Sequence, residues 1–136
     1  MKTLSARVIL SLCLLSLFLG ACRRDLRTAQ GVVEEFVDQH YVHINLQKAK
    51  EYSAGLALEK INEELRLTSG QAIDASTRMP KVHYRLLEKK EGDRRASFLY
   101  EGTIRAEEAP EFTRRWLIAA RKEGDQWRVS NFSEYD

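Results

Sequence analysis

The sequence predicts an α+β fold in which helices come first along the chain and an antiparallel sheet follows. Apolar residues recur every three or four positions between residues 29 and 65, as on the buried stripe of a helix. After Pro80 they recur at every second position, as along a half-buried strand. The connections between the alternating segments are too short for anything except hairpins, so the sheet is predicted to be a four-stranded meander with the helices packed on its apolar face.

Three helices are predicted in the first half. The first spans about residues 27 to 44, and its apolar stripe is formed by Ala29, Val33, Phe36, Val37, His40, Tyr41 and Ile44. Asn45 is suited to cap a short second helix, which Gly55 is expected to end. A third helix uses Leu58, Ile61 and Leu65. The segment from Thr68 to Pro80 has no sustained period and is interpreted as a long connection, with one short strand within it as an open alternative.

Four strands are predicted in the second half, and charged residues with Gly or Pro mark the turns between them. These turns lie at residues 91–93, 107–110 and 123–125. The inward positions of the strands are Val82, Tyr84 and Leu86; Ala96, Phe98 and Tyr100; Phe112, Trp116, Ile118 and Ala120; and Trp127 with Val129.

An apolar run from Val8 to Leu19 follows a basic start and leads into the tetrapeptide Leu19-Gly20-Ala21-Cys22. The run is shorter than the ~20 residues that a membrane span needs. The tetrapeptide resembles the lipobox of bacterial lipoproteins. This resemblance implies that residues 1–21 are a signal peptide that is removed, and that Cys22 is the site of lipid attachment.

The resemblance also implies a domain organisation and a location. Residues 22–27 would form a short lipid-anchored tether, with a reach of at most ~20 Å at about 3.4 Å per residue, and residues 28–136 a single α+β domain. Arg23 stands where an Asp would resemble the inner-membrane retention signal of enteric bacteria. We therefore expect an exported protein of the cell envelope, on the outer membrane facing the periplasm if the source is Gram-negative.

Charge and cysteine content narrow the range of functions. The chain has 22 basic and 20 acidic residues, and removal of Lys2 and Arg7 with the signal peptide leaves 20 of each. A charge-balanced exported domain has no basic footprint for nucleic acid, which we exclude as a partner. The two cysteines are Cys13, within the signal run, and Cys22. The mature domain is therefore predicted to have no free thiol and no disulfide.

Two segments resemble the NTF2-like and cystatin-like α+β families, particularly the small bacterial lipoproteins among them. Residues 121–129 resemble the Gly-acidic-x-Trp-basic-Val hairpin of their last two strands, through Gly124, Asp125, Trp127, Arg128 and Val129. Residues 32–37, followed by Lys48-Ala49 and Tyr52-Ser53, resemble their opening helices. The resemblance implies a cone-shaped sheet with a pocket at its wide end, and it implies no particular reaction.

Enzymes of this fold bury an acid/base pair in the cone, usually Asp or Tyr with His. Tyr41, Tyr84 and Tyr100 lie on predicted apolar faces, and His40 lies among them. No carboxylate occupies an inward position, so these residues are interpreted as core side chains, and no catalytic residue is predicted.

The three histidines are candidate metal ligands. His40 and His43 are three residues apart on a helix, and His83 lies on the first strand. No adjacent Cys or carboxylate completes a ligand set, so no metal and no cofactor is predicted.

Other charged groups are interpreted as solvated surface. They are Glu34, Glu35 and Asp38 on the first helix, Glu63-Glu64 on the third, and Arg115 on the less apolar face of its strand. Arg114 and Arg115 beside Trp116 could cradle an anion or a sugar, but the position of Arg115 on the less apolar face favours a solvated side chain.

These observations favour a membrane-anchored envelope lipoprotein that acts as a non-enzymatic binding or accessory module. Its expected partners are the membrane, through the lipid anchor, and an envelope protein or a small ligand. An accessory subunit of an envelope assembly is one form of this hypothesis. The alternative is a small-molecule enzyme of the isomerase or dehydratase type on an NTF2-like cone.

Overall fold

A computed structural model describes residues 23–69 and 79–136 of the 136-residue chain. The predicted signal peptide and Cys22 lie outside the described residues, as does most of the long connection before the first strand. The described helices are α1 (Ala29–Val37), which continues into a π-helical turn (Asp38–Val42), α2 (Leu46–Glu51) and α3 (Gly55–Leu67). The strands are β1 (Lys81–Glu91), β2 (Arg95–Arg105), β3 (Phe112–Glu123) and β4 (Gln126–Tyr135).

The four strands form one antiparallel sheet in the order β1-β2-β3-β4, which confirms the predicted meander. Two irregularities interrupt the regular pairing, one between Leu86 and Glu88 of β1 and the other opposite Ala119 and Ala120 of β3. Such bulges shift the side-chain alternation by one residue. In β4 the shift turns Phe132 toward the core together with Trp127 and Val129.

Side-chain caps set the starts of the first two helices. The Gly31 amide donates to the Thr28 hydroxyl at 3.0 Å, and the Lys48 amide donates to the Asn45 side chain at 3.1 Å. The predicted role of Asn45 is therefore confirmed. The sequence predicts that Gly55 ends α2, and this prediction is wrong, because α2 ends earlier, at its cap residue Tyr52. Gly55 opens α3 with a φ of +53°, a conformation that glycine adopts without strain.

The segment between α2 and α3 also covers part of the sheet edge. The Val129 amide of β4 donates to the Tyr52 carbonyl at 2.8 Å, and the Ala54 amide donates to the Val129 carbonyl at 2.8 Å. This short parallel bridge satisfies backbone groups of an edge strand, which would otherwise be open to pairing with another chain. It also ties the helical layer to the sheet.

The core lies between the helices and one face of the sheet. α1 contributes Val33, Phe36 and Val37, all fully buried, and α3 contributes Ala57 and Ile61. The sheet contributes the inward residues Phe98, Tyr100, Trp116, Ile118 and Val129. The predicted inward positions of β2 and β3 are thus confirmed, except that Phe112, at the start of β3, is 43% exposed. Within the described residues, no helix has the length and apolar character needed to cross a membrane.

Trp116 depends on a glycine across the sheet. An added Cβ at Gly102 would overlap the indole ring of Trp116, whose Cζ3 would lie only 2.8 Å away. Trp116 is 1% exposed, so the ring has little room to move. Only glycine at this position of β2 lets the largest side chain of the core lie flat against the sheet.

We predict that Gly102→Ala lowers the free energy of unfolding by about 1–3 kcal/mol, since it overpacks the core against Trp116. Urea denaturation followed by Trp fluorescence measures the change. The control is Gly124→Asn, because residue 124 has open space around it and its φ of +60° is one that Asn tolerates. Equal stability of Gly102→Ala and the parent protein would contradict the packing described.

Candidate functional site

The candidate site is built on the π-helical turn that follows α1. In this turn the His43 amide donates to the Asp38 carbonyl at 2.8 Å, five residues back. π-helical turns occur frequently at functional sites. The turn carries Asp38, His40 and Tyr41, and it replaces the last turn of the single helix that the sequence predicts to residue 44. Ile44 lies beyond it, 37% exposed, with a φ of +51° that is strained for a β-branched residue.

Asp38 lies at the centre of an ion-pair network that we call the Arg24 cluster, formed by Arg24, Glu34, Glu35, Asp38 and Tyr84. The Arg24 guanidinium lies 2.6 Å from the Asp38 carboxylate, 3.1 Å from Glu35 and 3.7 Å from Glu34. The Tyr84 hydroxyl donates to the second Asp38 oxygen at 2.6 Å. One cation thus joins the N-terminal segment to α1, and Asp38 joins α1 to β1.

The cluster corrects the interpretation of Glu34, Glu35 and Asp38 as a solvated helix face. Their side chains are 22–25% exposed and all three face Arg24. Their periodicity does place them away from the apolar stripe. However, Arg24 lies in no periodic element, so the sequence carried no sign that it would fold back over them.

Burial and the neighbouring carboxylates change the acidity of three tyrosines. Burial raises the pKa of Tyr84 above its ordinary value, and the hydrogen bond to Asp38 raises it further. Burial also raises the pKa of Tyr100, whose hydroxyl donates to Glu34 at 3.3 Å. For Tyr41, burial raises the pKa and the charges of Glu134 and Glu64 add to the effect. All three hydroxyls are therefore neutral at physiological pH.

Aromatic rings fill the space on the other side of the π-helical turn. Tyr41 stacks on Trp116 with centroids 4.1 Å apart and an interplanar angle of 11°. The His40 ring packs edge-on against Tyr41 at 4.2 Å and contacts Phe132 at 4.9 Å. Tyr100 is buried, and Tyr41 and Tyr84 are partly buried against the core, on the apolar faces that the sequence predicts.

His40 is held by the carboxylate of Glu64, which the sequence predicts to be solvated. Its Nε2 atom lies 2.8 Å from Glu64 of α3, and its side chain is 10% exposed. Among the described residues, its buried Nδ1 atom has no hydrogen-bond partner, and neither has the indole nitrogen of Trp116. The neighbouring Glu63 instead pairs with the exposed Arg66 at 2.6 Å. Glu64 therefore orients His40 against the core.

The three histidines are placed differently from one another. His40 is largely covered, whereas His43 and His83 are exposed. In the two described stretches of chain, no group of three or more His, Cys, Asp or Glu side chains is arranged to hold a metal ion.

The two arginines beside Trp116 point to different surroundings. Arg114 pairs with Asp136 and with Glu134 at 3.5 Å, and its guanidinium lies 5.2 Å from the centre of the Phe112 ring. Arg115 is exposed on the outer face of the sheet, which agrees with the predicted alternation. They do not combine into a cradle, because Arg114 is already paired within the chain.

Two open clefts lie next to these groups. A cleft of about 560 Å³ is lined by Arg23 and four charged members of the Arg24 cluster. A second cleft, of about 690 Å³, lies near the β1–β2 turn, with Lys90, Arg95 and Arg121 around small residues such as Ser97 and Ala119. Both are surface features, and the second is of mixed character, because Glu91 and Leu56 also line it.

No family model matches the chain, and no curated protein matches it. Solved structures do match it in fold. A protein from Thiobacillus denitrificans, assigned as a calcium/calmodulin-dependent protein kinase type II association domain, is 12% identical with a TM-score of 0.61, and the match covers 79% of this chain and 93% of that one. A SEC-C motif containing protein from Rhodopseudomonas palustris is 13% identical with a TM-score of 0.58, and the match covers 83% of each chain.

The name of a third solved structure includes the fold name NTF2. The protein Rd1NTF2_04 with long sheet is 12% identical with a TM-score of 0.53, and the match covers 79% of this chain and all of that one. At these identities the similarity extends to the fold alone. The chain therefore has an NTF2-like α+β fold, as the sequence predicted.

The raised tyrosine pKa values predict how stability depends on alkaline pH. The folded state keeps Tyr84 protonated above its unfolded pKa near 10, so this contribution is fully present below about pH 10 and is lost as the pH rises toward the folded pKa. In that range, Tyr84→Phe should make the fall in unfolding free energy shallower, by up to about 1.4 kcal/mol per pH unit.

Chemical denaturation at a series of pH values above 9 measures this slope. Tyr135→Phe is the matched control, because it removes a tyrosine hydroxyl at the exposed end of β4. Identical slopes for Tyr84→Phe and the parent protein would show that Tyr84 is not held neutral by Asp38 and burial.

Proposed function

We propose that the protein is a lipid-anchored lipoprotein of the bacterial envelope and acts as a non-enzymatic binding or accessory module. The lipobox-like sequence ending in Cys22 supports the anchor, and Arg23 directly after it supports an outer-membrane location in a Gram-negative source. The NTF2-like fold is compatible with this function and does not by itself select it.

One observation carries the non-enzymatic part of the proposal: Arg24 already pairs with the carboxylate that an acid/base mechanism would need. Asp38 and Tyr84 are 2.6 Å apart, which is the spacing of a proton-transfer pair. However, the Arg24 guanidinium occupies the other oxygen of the Asp38 carboxylate at 2.6 Å. An isomerase or dehydratase would need that carboxylate open to a substrate. Binding at an exposed cleft or sheet face needs no such group.

We expect Cys22→Ser to abolish labelling of the protein by a fatty-acid analogue and to leave an unprocessed precursor, because the thiol that accepts the lipid is lost. The measurement is metabolic labelling followed by gel fluorescence and membrane fractionation. Cys13→Ser is the matched control, since it removes the other cysteine of the chain and should leave labelling intact. Labelling that survives Cys22→Ser would refute the lipid site.

Affinity purification of the labelled protein from crosslinked membranes separates a binding module from an enzyme. A binding or accessory module should recover an envelope partner in stoichiometric amount. Recovery of the protein alone, together with turnover of a small molecule that Asp38→Asn abolishes, would instead establish the isomerase or dehydratase alternative.

A further inference from the structure

We infer that the N-terminal segment is held rigidly against α1, so that a lipid on Cys22 keeps the domain in one orientation on a phospholipid bilayer. We call each contact that holds the segment a lock. The inference rests on the proposed lipidation of Cys22. The bilayer surface is then a direct partner of the folded domain, and the acyl chains on Cys22 lie in the bilayer interior.

The first lock is the Arg24 guanidinium. It is 28% exposed, bonds to Glu35 and Asp38, and lies 3.4 Å from the Tyr84 hydroxyl. Arg24 comes only two residues after Cys22 in the sequence. Charge-assisted bonds that are partly shielded from water are stronger than exposed ion pairs, so they hold the segment that carries Arg24 against α1.

The second lock is a close backbone approach at Gly31. The Asp25 carbonyl oxygen lies where a Cβ of residue 31 would stand, so any side chain there would displace it. That carbonyl accepts hydrogen bonds from the Thr28 amide at 3.2 Å and from the Thr28 hydroxyl at 2.9 Å. Thr28 in turn caps α1 through Gly31. The chain from residue 24 to residue 28 is thus part of the folded domain.

These locks shorten the free reach of the anchor. Between Cys22 and the fixed Arg24, two residues span at most about 7 Å, compared with ~20 Å for a free tether over residues 22–27. An acyl chain on Cys22 therefore brings the start of α1 against the headgroup layer. The exposed side chains there are Arg23, Leu26 at 45% exposure, and Arg27 at 91%. An apolar side chain between two cationic ones suits the boundary between headgroups and acyl chains.

The locks are tested by amide hydrogen exchange on the mature protein, purified from membranes and placed in nanodiscs of phosphatidylethanolamine and phosphatidylglycerol. Arg24→Gln and Gly31→Ala should each accelerate exchange of the Thr28 amide about tenfold, which corresponds to a loss of about 1.4 kcal/mol. Arg27→Gln is the matched control, because Arg27 pairs only with its exposed neighbour Asp25 among the described residues. Equal exchange in Arg24→Gln and Arg27→Gln would overturn the first lock.

Orientation is tested by time-resolved energy transfer in vesicles of the same two lipids. A donor is attached at Asp93→Cys, which would carry the only reactive thiol of a lipidated mature chain, and the acceptor is a headgroup-labelled lipid. A rigid attachment gives a narrow distribution of donor–surface distances, and the double substitution Arg24→Gln/Gly31→Ala, which removes both locks, broadens it severalfold. A distribution equally broad in the parent protein and the double variant would overturn the inference.

Failure of the inference and failure of the proposed function give different results. Fatty-acid labelling is measured on the same samples. If Cys22 is not lipidated, the label is absent and the vesicles bind no protein, whereas the exchange of Thr28, measured on the protein free in solution, still reports on the locks. Thermal melting establishes that each variant folds. If Arg24→Gln does not fold, Arg24→Lys, which keeps the charge but loses the planar two-sided geometry, makes the same comparison.

Discussion

The bonds between Arg24 and three neighbouring carboxylates are the interaction on which the arrangement of this domain depends. Arg24 faces Glu34 and Glu35 of α1 and Asp38 of the π-helical turn. Without a cation these three carboxylates would repel one another while being partly removed from water. With Arg24 in place, Asp38 can accept the Tyr84 hydroxyl, and the first helix is fixed to the edge strand β1.

This arrangement is the physical basis of the proposed non-enzymatic function. On one side of the π-helical turn, Arg24 closes the Asp38–Tyr84 pair. On the other side, Tyr41 stacks on Trp116, and Glu64 holds His40 against Phe132. Asp38, Tyr84 and the Nε2 atom of His40 are thus engaged within the chain. The surface adds the start of α1, the cleft near the β1–β2 turn and the outer face of the sheet.

Much of the fold could be predicted from the sequence, because burial imposes a period on each element. Alternation identified the inward residues of β2 and β3, and Asn45 was recognised as a cap by its residue type. Phe132 is a core residue that the sequence does not predict. A bulge in β4 reverses the alternation of inward and outward side chains, and the sequence does not show where a bulge lies. The sequence predicts Gly55 as a helix end because glycine tolerates a positive φ. The same property suits the start of α3, where the structure places it.

The candidate site was less predictable, since it is made by contacts between distant residues. Asp38, Tyr84 and Arg24 come from a helical turn, a strand and an irregular segment, and nothing local in the sequence links them. The same holds for His40 and Glu64, which come from different helical elements and meet only after the layer has folded. The residue types indicate which groups can form ion pairs and hydrogen bonds. Which of these groups pair with one another is visible only in the tertiary structure.

A double-mutant cycle on Arg24→Gln and Asp38→Asn, with unfolding free energies from chemical denaturation, tests the central claim most directly. If Arg24 fixes the N-terminal segment to α1 through Asp38, the two substitutions should be coupled by about 1–2 kcal/mol. A coupling free energy indistinguishable from zero would contradict the account, because the two side chains would then contribute to stability independently.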